Sequence, residues 1–463
     1  MNTDWCHPPS PILGSALIWL YRRSVTAENG AHRAPLQFRF EIKALPVRTA
    51  PSHRDFSILV LSPRLKTVVF VLEWLNAIAT TYYFYDIYFF TEAKFGFDKL
   101  HNLLLAAGLG LAYMFASILG GRFAQSAGYL RAFKSGQLIM AAGLAAGSQL
   151  QDLRGHLAVM FVCVVGMGMT WPALQALVSE GEPRGRLQNM VGLYNVVWSL
   201  GGAMAYLTGG AMMETFGLRS LFLVPAAMAA VQLALAIWLE SRMAGTSAPA
   251  TSEVSAEANK IEAEADRVRS PVSPKTFLRM AWLANPFAYL AINTVIAVSP
   301  SLANTLSLSP RYAGYFCSIW MFTRAAAFAL FWLWPGWHYR FRWLLNSHLG
   351  MIVSFILILL SPNLAVLVAA QIGFGICIGL IYYSSLFYSM DAGETKGLHG
   401  GFHEAAIGAG SCAGPAVGAA ALYLSPANPN HSTFAVAALL FVGLSGLIWL
   451  RTRNAAQPRD TAL

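Results

Sequence analysis

The sequence predicts an all-α integral membrane protein whose twelve transmembrane helices form two six-helix repeats, and three observations carry that prediction. Only 12% of the 463 residues are charged, against 56% apolar or aromatic; that is half the charge with which a soluble domain covers its surface. The apolar surplus falls in stretches of about 20 residues, the length of helix that crosses a hydrocarbon core of ~30 Å. The stretches of the second half repeat those of the first in the same order. A water-soluble globule is excluded. The net charge of +10 does not mark a nucleic-acid binder, because the basic residues are scattered in short loops and never interleave with aromatics on a polar face.

Taken in order, residues 1-65 are rich in proline and basic residues and contain no spanning run. The apolar piece 12–21 is half a span, is preceded by Asp4 and is followed by Arg22 and Arg23, which is not the order of a signal peptide. This segment is expected to be a poorly ordered cytoplasmic extension, with a short strand through Leu36, Phe38, Phe40 and Ile42 as its one regular feature. Twelve spans follow, at 67–91, 100–121, 131–150, 156–178, 188–212, 218–240, 279–302, 312–335, 343–361, 364–388, 401–424 and 432–450. They divide into a first bundle over 66-240 and a second over 279-452. Between them, 241-278 is rich in Ala, Ser, Glu and Pro without apolar periodicity and reads as a solvated linker; 453-463 is a short tail.

Orientation follows from the basic residues. With both termini cytoplasmic, the inner loops and tail hold seventeen Lys and Arg and the outer loops only Lys94, Lys99, Arg154, Arg219 and Arg311, as the positive-inside rule requires. The halves repeat at the level of single residues. Gly166 and Gly168 in the fourth span match Gly373 and Gly375 in the tenth, and Gly192, Gly201 and Gly209 in the fifth match Gly401, Gly410 and Gly418 in the eleventh. Two six-span parallel repeats are one architecture of secondary transporters, which bind their solute between the halves.

Three features make the likeness specific. Gly121, Gly128 and Arg131 punctuate the loop between spans two and three, with Gln125 and Ser126 where an acidic and a basic residue are expected. Asn195 to Gly202 runs on to Gly209 and Gly210 in span five, with Ala205 and Tyr206 in place of Gly-Pro; in span eleven Gly410, Gly414, Pro415 and Gly418 keep the pattern with Gly-Pro intact. On these motifs the chain resembles the major facilitator superfamily over residues 66 to 452. The resemblance implies a transporter working by alternating access, with the first, fourth, seventh and tenth spans lining a central cavity. Taken on their own, the glycines are helix-packing positions.

Ionisable side chains inside spans are costly and mark function. Glu73, Asp86, Arg324 and Glu404 remain once loops are accounted for. Glu73, Asn76, Thr80 and Tyr83 make one polar stripe on span one with Asp86 beside it. Asn76, Tyr83, Asp86, Trp171, Gln175, Asn293, Gln371, Tyr382 and Arg324 are the expected solute-binding set; the competing reading of each polar residue is an interhelical hydrogen bond. Arg324, near the middle of span eight, offers a planar fork for a carboxylate or phosphate, or a fixed pair with one of the acids. Glu73, Asp86, His403 and Glu404 are the expected proton-coupling or gating groups. His399, His403 and Glu404, with Asp391, Glu394 and Lys396 in the preceding loop, read as a cytoplasmic gate.

The leading function is therefore a proton-coupled carrier of a small solute in the cell membrane, monomeric, without metal or cofactor, and not an enzyme. Its cargo is either an amphiphilic or cationic compound, from the aromatics of span one and the antiporter-like glycines, or an organic anion, from Arg324. Tyr85 and Tyr88 carry little weight because aromatics near a span's end are ordinary interface anchors. The rivals are a membrane-embedded metal-assisted enzyme built on His399, His403 and Glu404, and a transport-inactive sensor that keeps the fold. No G-x-x-x-x-G-K-[ST] loop is present, so the chain carries no recognisable ATP motor.

Overall fold

A computed structural model of the chain describes residues 62–179, 184–243, 272–392 and 396–455. The extension with its expected strand and the interior of the linker lie outside these residues, as do the end of the tail and the side chains of Asp391, Glu394, Lys396 and His399. The described residues are helical throughout, with no strand. Spans one to seven are single helices: α1 (Pro63–Phe95), α2 (Lys99–Ala127), α3 (Tyr129–Gly147), α4 (Leu153–Ser179), α5 (Arg184–Phe216), α6 (Ser220–Met243) and α7 (Pro274–Thr305). Span eight is two pieces, α8 (Pro310–Cys317) and α9 (Ile319–Leu333), and a 3-10 turn at Pro335–Trp337 follows. Spans nine to twelve are α10 (Phe341–Leu359), α11 (Leu364–Ala392), α12 (Lys396–Leu424) and α13 (His431–Ala455).

Each predicted span falls on a helix. Ten of them are long and apolar enough to cross a membrane on hydropathy alone; the other two are α1, which carries the buried polar residues Glu73, Asn76 and Asp86, and α3. Outward-facing side chains such as Leu104, Leu119, Leu138, Ile237 and Val442 are apolar and exposed, as a lipid-facing surface requires. The first and seventh helices begin at Pro63 and Pro274, earlier than hydropathy places them. In both, a serine caps the first turn and proline occupies its first position: Ser62 accepts from the Leu65 N–H at 3.4 Å and Ser273 from the Thr276 N–H at 3.3 Å. Capping chemistry, not apolarity, sets these starts.

Gly128 ends α2 and opens α3 at φ 100°, a conformation that residues with a Cβ rarely adopt; this accounts for one glycine of the loop motif. Helices α1–α6 pack among themselves, as do α7–α13, and the two groups meet chiefly along α2 with α12 and along α5 with α8 and α9. Both seams run backbone to backbone. Gly110 lies on the backbone of Ser411 and Cys412 and Gly408 on that of Met114; Gly210 lies on Pro310, and Gly314 on the carbonyls of Tyr206 and Leu207. Small residues permit this approach, and the packing they allow is the attraction available where lipid is as apolar as the side chains.

Candidate functional site

Between the two groups lies a cavity of about 140 Å³. Span one turns Thr81, Tyr85 and Tyr88 toward it, spans two and four contribute Tyr113 and Trp171, and span five adds Trp198. The second group supplies Tyr289 and Asn293 from span seven, Tyr382 from span ten, and Glu404 and Ser411 from span eleven. The wall is thus rich in aromatic rings, with one carboxylate. Its rings are locked to one another: Trp198 meets Trp171 at 6.2 Å and Tyr382 at 5.2 Å, and Tyr382 meets Tyr289 at 6.1 Å. Asn293 donates to Ser411 at 2.7 Å.

Glu404 is 4% exposed and is tied to the other group from two sides. The Tyr113 hydroxyl donates to its Oε2 at 2.6 Å, and the Gln175 amide donates to Oε1. Among the described residues no cation pairs with the carboxylate; its partners are neutral donors. Next to it, His403 lies 3.3 Å from the Ser385 hydroxyl, its ring 5.2 Å from that of Tyr382.

Several predicted site residues lie elsewhere. Asn76 faces the interior of the first group, where Gln137 donates to it at 3.0 Å and to Gln232 at 2.9 Å, a polar ladder linking spans one, three and six. Tyr83 is buried against Phe222. Gln371 spans the interruption at Ser318: its amide donates to the Phe316 carbonyl at 2.6 Å and its oxygen accepts from the Trp320 N–H at 3.3 Å. It therefore satisfies backbone groups and does not line the cavity. Gln175 reaches the cavity only through Glu404. Glu73 is 0% exposed and neither of its oxygens has a hydrogen-bond partner; Asp86 is wedged against Gly209. Both acids lie off the cavity wall.

Arg324 also lies behind the wall, with its guanidinium carbon 4.5 Å from the Trp198 ring and 4.8 Å from the Trp320 ring. Two desolvated cation–π contacts of about 2 kcal/mol each offset part of the cost of burying the charge. The residues that sequence reasoning passed over are Tyr113 and Tyr289, together with Trp198, which lies inside the span-five glycine motif. Tyr85 and Tyr88, discounted as interface anchors, face the cavity instead.

A sequence profile of the Major Facilitator Superfamily matches residues 68–415. The chain belongs to the major facilitator superfamily. Among solved structures, this superfamily member is similar to the human organic anion transporter MFSD10 (TETRAN), with TM-score 0.60 and 16% identity over 84% of this chain and 100% of that one. It is likewise similar to a mutant of the nucleoside transporter NupG, with TM-score 0.61 and 15% identity over 83% of this chain and 99% of that one. At such identity the likeness establishes the fold. No curated protein sequence matches the chain. Membership makes it a multi-pass membrane transporter and not an enzyme.

Proposed function

We propose that the protein is a proton-coupled secondary transporter that moves a small amphiphilic organic solute by alternating access, with Glu404 as the group that carries the proton. The observation that carries this reading is the position of Glu404: one carboxylate in an aromatic cavity, held by Tyr113 and Gln175 of the opposite half. A carboxylate takes both donors; a carboxylic acid has one fewer lone pair to offer and a proton of its own to give away. Protonation at Glu404 therefore alters the bonds that hold the halves together, which is what couples a proton to rocking. The two halves 66-240 and 279-452 are the rocking bodies, joined by 241-278, with both termini cytoplasmic in the cell membrane and the chain acting as a monomer.

The same site favours a cationic end on the solute, since ring faces and a carboxylate both attract an ammonium group. The second reading, carriage of an organic anion, is favoured by the unpaired N–H groups of Arg324. The test is uptake of ethidium into proteoliposomes driven by a pH gradient. Wild type is expected to show gradient-driven flux and Glu404→Gln to lose it by at least about tenfold, the effect of about 1.4 kcal/mol. Undiminished flux in Glu404→Gln, with loss in Glu73→Gln combined with Asp86→Asn, would move the proton to span one.

A further inference from the structure

Arg324 is a buried charge that the proton-coupled reading does not use. It is 1% exposed, and its Nε and Nη2 have no hydrogen-bond acceptor. Trp198 and Trp320 present ring faces, which attract the charge but do not occupy the in-plane N–H directions of the fork. No described acid pairs with Arg324: Glu404 is held by Tyr113 and Gln175, Asp86 lies against Gly209, Glu73 is buried on span one without a hydrogen-bond partner, and no ion pair reaches Arg324 among the described residues. A planar fork with unmet donors is the complement of a carboxylate.

One aromatic wall connects this fork to Glu404. The Tyr382 ring meets that of Trp198 at 5.2 Å, and Trp198 covers the guanidinium. On its other side Tyr382 lies 5.2 Å from the ring of His403, the neighbour of Glu404. Tyr85 stacks at 6.4 Å on Trp320, the ring whose face lies 4.8 Å from the guanidinium. Tyr85, Trp198, Tyr289 and Tyr382 all line the cavity, so the cavity has a carboxylate on one side and, one ring layer deep on another, a guanidinium with free donors.

We infer that the cavity is a two-ended site for a zwitterionic amphiphile, whose cationic end rests at Glu404, whose ring or apolar body lies along Trp198 and Tyr382, and whose carboxylate docks on Arg324. Reaching Arg324 requires the ring layer that covers it to turn aside, so occupation also rearranges the wall around Trp198. The inference rests on the transporter reading and names its cargo class.

The test uses three probes that share one ring: para-(aminomethyl)benzoate, para-methylbenzylamine and para-methylbenzoate. Thermal unfolding of the purified full chain reads their binding. The zwitterion is expected to bind at least about tenfold more tightly than either singly charged probe. Arg324→Ala should bring it down to the level of para-methylbenzylamine, and Glu404→Gln down to that of para-methylbenzoate. Arg324→Lys, which keeps the charge and loses the fork, serves if Arg324→Ala fails to fold, and should remove most of the advantage. Equal binding of the zwitterion and para-methylbenzylamine in wild type, an advantage that survives both Arg324 substitutions, or no binding of any probe would each overturn the inference. Wild-type ethidium flux gauges transport separately: its absence overturns the transporter reading, whereas its presence without a zwitterion advantage overturns the two-ended site alone.

Discussion

At Gly209 a single hydrogen atom stands in for a side chain because the Asp86 carboxylate fills the space that a Cβ would take. Overfilling a packed interior costs about 1–3 kcal/mol, so Gly209→Ala is expected to lower thermal stability by that amount. In an Asp86→Ala background the penalty should shrink by at least about half, since residues in contact do not add; an unchanged penalty would show that the methyl meets something else. Which residues face the cavity was only partly legible. Trp171, Asn293 and Tyr382 combine a special side chain with a span that the resemblance places at the centre, Glu404 stands out as an ionisable group inside span eleven, and all four line the wall. On span one, helical periodicity groups Glu73, Asn76 and Tyr83 on one face and Thr81, Tyr85 and Tyr88 on another. It does not say which face meets the other half.

Two helix ends carry predictions of their own. Span eight is interrupted at Ser318, and Gln371 from span ten supplies both a donor and an acceptor to the backbone around the interruption. Gln371→Leu leaves a half-buried carbonyl and a buried N–H unmet, the latter at about 1–3 kcal/mol, and is expected to lower the melting temperature more than Asn293→Leu. Asp98 caps α2, its Oδ1 accepting from the His101 N–H at 2.9 Å. Partial burial works to raise this carboxyl, and the His101 backbone and ring donors outweigh it, holding the group below its usual range. A depressed carboxylate stabilises above its unfolded pKa and loses that contribution as pH falls through the folded one. Asp98→Ala should therefore cost about 1 kcal/mol at neutral pH and progressively less in acid; a cost independent of pH would place the cap's value outside the carboxylate. The serine-proline starts of the first and seventh helices were legible as caps, but hydropathy alone sets the boundaries later, because it weighs apolarity and not hydrogen bonding.

Across the described residues, the face opposite Pro63 and Ala455 is closed by polar contacts between the halves. Asn304 donates to Glu92 at 2.6 Å, Arg311 pairs with Glu214 at 3.1 Å, and Lys99 donates to the Pro429 carbonyl at 2.9 Å. The Arg311–Glu214 pair is partly exposed and adds at most about 1 kcal/mol, too little to govern folding but enough to shift a two-state opening about fivefold. In a cysteine-free background carrying Thr81→Cys in the cavity, Glu214→Ala is expected to raise labelling by a membrane-impermeant thiol reagent about that much. The exchanged pair, Glu214→Arg with Arg311→Glu, should restore it only in part, because an arginine at 214 cannot accept from the backbone N–H of residue 311 as Glu214 does at 2.8 Å. Labelling that does not change would mean that this face opens without breaking the pair.

The sequence by itself determined the class, the span count, the duplication and the family. Each of these is written in local composition or in short motifs: apolar runs as long as a bilayer is thick, glycines at matching offsets, Gly121, Gly128 and Arg131 in one loop. Only the tertiary structure decided which polar residues are structural and which meet the cavity. Asn76 and Asn293 are the same side chain in equivalent first spans of the two halves, yet one closes a ladder inside its own half and the other lines the wall with Ser411. The physical reason is that a buried polar group must find a partner, and the partners of these residues stand on other helices, dozens to hundreds of residues away, where no periodicity along one span can point.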